Sequence, residues 1–260
     1  MNGILLLLYP ILNVVVTGIF AAVVLRQYLR RHRPYQLYWT IALTMAFIAT
    51  MAYVCMIIAQ PTSAAGVLFF RLYYILGAAL MPAWLGLGSI ALVTSTRFTR
   101  ICLAVLCVLS VLATLLIASA SVDMTQLSQI AGTPGAGILQ PQTGAWLITI
   151  IILNSLGVIA VVGVAIYSGW KMKFRQGAGH LLLANVLILA GDILNALAGT
   201  TARLGIKNIF WLVMILGWTV FFVGVLLASK PRTRGVAPKQ DSPTRNAEAS
   251  RATTISSHNT

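Results

Sequence analysis

The sequence predicts an all-α membrane protein, a bundle of seven transmembrane helices. Of its 260 residues, 59% are hydrophobic and only 8% are charged, whereas soluble domains carry about 25% charged residues. Seven apolar spans are long enough to cross a hydrocarbon core of about 30 Å, which takes about 20 helical residues. These spans are residues 4–25, 37–59, 67–93, 101–120, 144–167, 181–200 and 209–229. We therefore expect one multi-pass domain over residues 1–229 in a cell (plasma) membrane.

The first three spans have recognisable ends and breaks. The first is longer than the apolar core of a signal peptide and is followed by the basic segment RQYLRRHR, which indicates a transmembrane helix. The second ends at Gln60-Pro61, a typical turn. The third contains Pro82, which we expect to kink or locally unwind it, and glycines that permit close approach of a neighbouring helix.

A connection of 23 residues, 121–143, joins the fourth and fifth spans. It is rich in Gly, Pro, Gln, Ser and Thr, and its GTPGAG lacks the GK[ST] ending of a phosphate-binding loop. We therefore expect a flexible loop here. After the seventh span the composition changes abruptly, and residues 230–260 are predicted to form a disordered basic cytoplasmic tail.

Basic residues predict the orientation. Twelve lie in the first, third and fifth connections and at the start of the tail, against three on the opposite side, Arg71, Arg203 and Lys207. Because cytoplasmic loops carry the excess of Lys and Arg, the N-terminus is predicted outside and the C-terminus inside. Because these basic residues lie at the ends of membrane spans, their interaction with anionic lipid headgroups explains the formal charge of +14. The lipid bilayer is thus the expected partner, and nucleic acid is not.

The second and third spans carry a pattern found elsewhere. A Trp opens the second, and Tyr-x-x-Gly and a Pro follow in the third, within PYQLYWTIALTMAFIATMAYV and FRLYYILGAALMPAWLGLGSIALV. This pattern, over about 60 residues, resembles the seven-helix sensor region of some bacterial histidine kinases, although only 31 residues follow the seventh span. The chain also resembles uncharacterised bacterial multi-pass proteins. The first resemblance implies a sensor without its own output domain.

An internal similarity suggests a duplicated architecture. FRLYYILG at residues 70–77 and FWLVMILG at residues 210–217 share F-x-x-x-x-ILG, and Asn13 and Asn154 occupy similar places in the first and fifth spans. Two parallel three-helix repeats joined by a fourth helix would produce this pattern. Chance similarity between apolar segments is the alternative.

The sixth span contains a polar face. Asn185, Asp192, Asn195 and Gly199 recur at helical spacing. A carboxylate inside a membrane is costly and must face protein or water. Arg71 of the third span lies at a similar depth, so we predict an Arg71–Asp192 pair at the floor of an outward-opening pocket.

Ligand-binding residues predicted for this pocket are Arg71, Tyr74, Asn185, Asp192 and Asn195.

Residues for catalysis or metal binding are scarce. The three histidines lie at helix ends or in the tail, the three cysteines form no metal-binding spacing, and Asp192 is the one acidic residue within a span. We expect no enzyme, cofactor or metal.

Two functional hypotheses remain. The first is a sensor-like or receptor-like bundle that binds a small ligand or lipid in its outer half and signals to a cytoplasmic or membrane partner. The second is a small-solute or proton-coupled transporter that uses Asp192. The alternative to both is that the polar face only joins helices.

Overall fold

The computed structural model describes residues 3–173, 179–204, 206 and 209–229. The predicted disordered tail, residues 230–260, and Lys207 lie outside the described residues. Within the described residues, seven helices are long and apolar enough to cross a membrane, which confirms the predicted helical membrane architecture. The predicted orientation and internal repeat stay predictions.

The long helices, called the first to seventh in chain order, are Gly3–Arg31, Pro34–Ile58, Ala64–Val93, Thr96–Ser119, Ala145–Lys173, Gly179–Arg203 and Phe210–Ser229.

Two helices continue six residues past the predicted ends of their apolar spans. The first continues from residue 25 to Arg31 and the fifth from residue 167 to Lys173. Arg, Lys, Leu and Gln favour helix, and their long side chains can reach the headgroup region from a helix that leaves the hydrocarbon. The thickness of the hydrocarbon core therefore limits the length of the apolar segment, but the helix itself continues beyond it.

The third helix changes its geometry in the middle. Ala64–Tyr73 is α-helical, Tyr74–Leu80 is a π-helix, and Met81–Val93 is α-helical again. The Met81 N–H donates to the Leu76 carbonyl, five residues back. Pro82 follows directly, and because it has no N–H and its ring crowds the preceding turn, a wider turn relieves the clash. The expected local unwinding is thus a π-helical segment.

Glycines bring two pairs of helices into close contact. A Cβ on Gly86 would lie 2.8 Å from the Gly157 Cα, so the third and fifth helices touch through their backbones. A Cβ on Gly191 would lie 2.5 Å from the Phe221 N, and one on Gly224 would lie 2.8 Å from the Ile188 N. We call these two contacts the glycine seams. Close approach through small residues is the usual way in which membrane helices pack.

The connection between the fourth and fifth helices is ordered, contrary to the predicted flexible loop. It contains the short helix Met124–Ser128 and an antiparallel pair in which Ser121 faces Gln140 and Val122 faces Leu139. Ile130, Ile138 and Leu139 are buried against the helices. Positive φ angles at Gly132, Gly135 and Gly137 supply the turns. We call the end of the bundle that carries this connection the loop end.

Candidate functional site

A cavity of about 570 Å³ lies among the helices. Six of the seven long helices contribute to its wall, and Pro134 and Ala136 of the 121–143 connection border it at the loop end. Its volume is in the range of small-molecule sites, about 300–1,000 Å³.

The polar or charged side chains in its wall are Asn13, Thr50, Tyr73, Tyr74, Asn154, Ser155, Asp192, Asn195, Thr200 and Arg203.

The cavity occupies the half of the bundle nearer the loop end. Asn13, Asn154 and Asp192 each lie roughly ten residues, or about 15 Å, from the loop end of their helices. The third helix borders the cavity with Tyr74 and Gly77 of its π-helical segment. π-Helical turns occur frequently at functional sites, because they change the direction in which side chains point.

Asn13 is held in a defined orientation. Its Nδ2 donates to the Thr50 Oγ1 over 3.1 Å, and the Thr50 hydroxyl donates in turn to the Ala46 carbonyl over 2.9 Å. Because the Thr50 proton is already used, Thr50 must accept from Asn13, which assigns the Asn13 amide group. The Asn13 Oδ1 is buried and has no hydrogen-bond partner among the described residues.

Asp192 is 93% buried and lines the same cavity. Its Oδ2 has no hydrogen-bond partner among the described residues, and the buried Asn154 Oδ1 also has none. Buried polar atoms nearly always have a partner, so each exception needs an explanation. Three unpartnered oxygens from three helices, all in side chains that line one cavity, indicate a site that is completed by something other than this chain's side chains.

Asn195 has a different environment. Its Oδ1 is also without a hydrogen-bond partner, but a Cβ on Gly217 would overlap it. The amide of Asn195 therefore packs closely on the backbone of the seventh helix. Asn195 borders the cavity and at the same time joins the sixth helix to the seventh.

Aromatic side chains form much of the remaining wall. Tyr73, Tyr74, Phe210, Trp211 and Trp218 line the cavity and are all buried. The Tyr73 and Trp211 rings lie 6.3 Å apart between centroids, and those of Phe210 and Trp211 lie 5.0 Å apart. The cavity is therefore mainly apolar with a few polar groups, as ligand sites usually are.

Trp218 is level with Asp192 along the bundle. Gly191, the neighbour of Asp192, packs against Gly217 and Phe221 of the seventh helix. Trp218 lies within that turn and lines the same cavity. Trp211 lies seven residues, or about 10 Å, nearer the loop end.

Arg203 is the basic residue of the wall. It is exposed at the loop end of the sixth helix. Eleven residues separate it from Asp192 along the helix, which corresponds to about 16 Å. The cavity thus has an acidic group at depth and a basic group at its mouth.

The fifth and sixth helices touch near their ends away from the loop end, where a Cβ on Gly169 would lie 3.7 Å from Leu182. Nearer the loop end, Gly199 lines the cavity, and a Cβ there would meet no heavy atom within 4 Å. The fifth helix contributes the exposed residues Ile151 and Ile159 to the cavity wall. The cavity therefore reaches the surface between these two helices.

The predicted Arg71–Asp192 pair is not formed. The Arg71 guanidinium donates to the carbonyls of Ala118 and Ala120, the latter from Nη2 over 3.2 Å. The fourth helix ends at Ser119, so these carbonyls lie where a helix leaves its acceptors unpaired and carries partial negative charge. Arg71 caps that helix and does not line the cavity.

Asn185 also lies away from the cavity. Its Nδ2 donates to the Ser168 Oγ over 3.4 Å, where the fifth and sixth helices touch. Asn185 lies about 10 Å farther from the loop end than Asp192, although it is on the same helical face. Of the five predicted ligand-binding residues, Tyr74, Asp192 and Asn195 line the cavity, and Arg71 and Asn185 do not.

The prediction missed several wall residues. Arg203 continues the helical spacing of Asp192, Asn195 and Gly199, so the pattern extended by one turn would have found it. Asn13 and Asn154 were visible as polar residues at matching places in their spans. Tyr73, Trp211 and Trp218 had no separate signal, because aromatic residues are common in membrane helices.

The comparisons with known proteins give no family. No protein-family model, no curated protein and no solved structure matches this chain. Among the described residues, no group of three His, Cys, Asp or Glu side chains is placed to hold a metal ion. The cavity itself is therefore the basis for a functional assignment.

Proposed function

We propose that this protein is a sensor-like membrane bundle that binds a small ligand or lipid in the cavity. The observation that carries the proposal is that unpartnered oxygens of Asn13, Asn154 and Asp192 belong to one cavity of ligand size. Keeping such groups buried without partners costs stability, so a purely structural role explains them poorly.

The cavity would open on the outer side of the membrane. The excess of basic residues in the first, third and fifth connections supports this orientation. The gap between the fifth and sixth helices offers entry from the outer leaflet, which suits a ligand with an apolar part. The resemblance of the second and third helices to a histidine-kinase sensor region agrees with signalling to a separate partner.

Transport is the second candidate. The wide π-helical turn next to Pro82 borders the cavity, and interrupted helices near the membrane midplane are typical of transporter sites. A buried membrane carboxyl such as Asp192, whose Oδ2 has no partner among the described residues, is also typical of proton-coupled carriers. In this case the cavity would face each side of the membrane in turn.

A matched pair of glycine variants tests whether the cavity binds ligands. Gly199 and Gly163 both have free space around a Cβ, but only Gly199 lines the cavity. Gly199→Phe should fill the cavity, and Gly163→Phe should leave it open. Purified proteins are screened by thermal shift against a diverse set of small amines, acids, sugars and lipids. The proposal expects compounds that stabilise the wild type and Gly163→Phe but not Gly199→Phe.

If no compound separates the two variants, the cavity is not a ligand site. Compounds that do separate them are then tested for uptake into proteoliposomes. Uptake by the wild type above the level of Gly199→Phe would favour the transporter. Binding without uptake would favour the sensor.

A further inference from the structure

The unpartnered oxygens of the cavity have a common chemistry. An ionised Asp192 carboxylate is a pure hydrogen-bond acceptor, and the free atom of Asn13 is its Oδ1, because its amide N–H is used by Thr50. The unpartnered oxygens of Asn13, Asn154 and Asp192 are thus acceptors, whereas the buried Trp211 Nε1, a donor that also has no partner among the described residues, lies about 10 Å nearer the loop end. A ligand that completes the three oxygens must bring N–H or O–H groups to the depth of Asp192.

The aromatic residues narrow the class of ligand. Trp218 lies level with Asp192, and Trp211 and Tyr73 follow toward the loop end. Aromatic faces attract a cation within about 6 Å of the ring centroid, and Trp does so best. The effect is larger in a dry cavity than at an exposed surface.

The charged residues of the cavity also favour a cationic ligand. Asp192 is buried, whereas Arg203 is exposed at the mouth about 16 Å away along the sixth helix. Solvent and salt screen the exposed charge, while the buried one keeps its field. At the depth of Asp192, the cavity therefore favours positive charge.

We propose that the ligand is an organic ammonium ion, whose charged nitrogen binds the Asp192 carboxylate and the Asn13 oxygen beside the Trp218 ring. Its apolar part would extend toward Trp211 and Tyr73. This inference depends on the proposed function, because it names the ligand class of the same cavity.

Two probes of equal size separate charge from shape. 2-Phenylethylammonium and 2-phenylethanol share the same phenylethyl body, and both can donate hydrogen bonds, but only the first is charged at pH 7. Their affinities for the full chain in detergent are measured by the change in tryptophan fluorescence and by thermal shift. The wild type should bind the ammonium ion at least about tenfold more tightly than the alcohol.

Two Asp→Asn variants locate the origin of the preference. Asp192→Asn should lose the preference, with affinity for the alcohol changed by no more than about twofold. Asp123→Asn, in the 121–143 connection and outside the cavity, should keep it. If Asp192→Asn does not fold, the wild-type comparison of the two probes still decides.

Each outcome separates this inference from the proposed function. Equal affinities of the wild type for the two probes, or a preference that survives in Asp192→Asn, overturns the ammonium ion and leaves the cavity as a site for another ligand. Binding of neither probe also overturns it. The proposed function fails only if the screen with Gly199→Phe and Gly163→Phe finds no compound.

Discussion

The glycine seams and the cavity use the same residue types for opposite purposes. In the seams, Gly157 and Gly191 allow backbones to touch, and any added atom would collide. Around the cavity, a Cβ on Gly199 would meet no heavy atom within 4 Å. The buried Tyr53 hydroxyl outside the cavity has hydrogen-bond partners, whereas the Asp192 Oδ2 in the cavity wall has none among the described residues. The seams thus hold the bundle together, whereas the cavity contains polar atoms that can still bind a ligand.

The largest effect should come from the seam between the third and fifth helices. Gly157→Ala is expected to reduce the free energy of unfolding by about 1–3 kcal/mol, because its Cβ would overlap the Pro82 carbonyl. Gly163→Ala, on the same helix with no atom nearby, should gain about 0.5–1 kcal/mol of helix stability. Unfolding in detergent measures both. Similar changes in the free energy of unfolding of the two variants would contradict the view that the seam is tightly packed and the position of Gly163 is not.

Tyr53→Phe tests how firmly the 121–143 connection is attached. The buried Tyr53 hydroxyl donates to the Thr133 carbonyl over 2.8 Å and lies 3.0 Å from that of Ile130. Its loss should cost about 1–2 kcal/mol and speed proteolysis within the connection. Tyr167→Phe, at an exposed tyrosine of the fifth helix, is the control. If both variants behave alike, these hydrogen bonds do not secure the connection.

Asp192→Asn should raise the free energy of unfolding, whereas most substitutions of buried residues lower it. Removing a buried carboxylate whose Oδ2 has no partner among the described residues is expected to raise the free energy of unfolding by about 1 kcal/mol. Thr50→Val, which removes a partnered hydroxyl from the same cavity, should lower it by about 1 kcal/mol. Thermal unfolding without added ligand compares them. A loss of stability in Asp192→Asn would reveal a structural role for the carboxyl.

The smallest effect concerns Asp123, which begins the short helix of the connection. The Gln126 backbone N–H, the Gln126 side chain and the Thr125 N–H donate to its carboxylate, and these bonds lower its pKa below the usual value. Its contribution to stability is therefore present above pH 4 and is lost as the pH falls through the lowered pKa. Asp123→Asn should show a smaller fall in Tm between pH 6 and pH 3 than the wild type. Identical curves would contradict this capping role.

The helices were predictable because bilayer thickness and apolar composition fix where they lie. The second helix, predicted over residues 37–59, is observed as Pro34–Ile58. The predictions for the site failed where one helix alone carries too little information. Asn185 has the expected face but the wrong depth, and Arg71 has a suitable depth but points to the fourth helix. Rotation and contact depth depend on neighbouring helices, which periodicity does not reveal.

The 121–143 connection shows the same limit in a loop. Its Gly and Pro content predicted flexibility, yet the glycines provide the positive φ angles of tight turns. Those turns place Ile130, Ile138 and Leu139 against the bundle, where burial of apolar surface holds them. Ile130 and the adjacent pair Ile138 and Leu139 form no periodic pattern, so the sequence did not indicate that they are buried.

Cysteine accessibility at Gly199 tests the central claim, an open cavity on the outer side, most directly. In a background without Cys55, Cys102 and Cys107, Gly199→Cys should react in intact cells with a maleimide that cannot cross the membrane. Ile193→Cys, an exposed position of the same helix outside the cavity wall, should not react. Rapid labelling of Gly199→Cys alone is the predicted result. No labelling from outside, or labelling only after the membrane is opened, would contradict it.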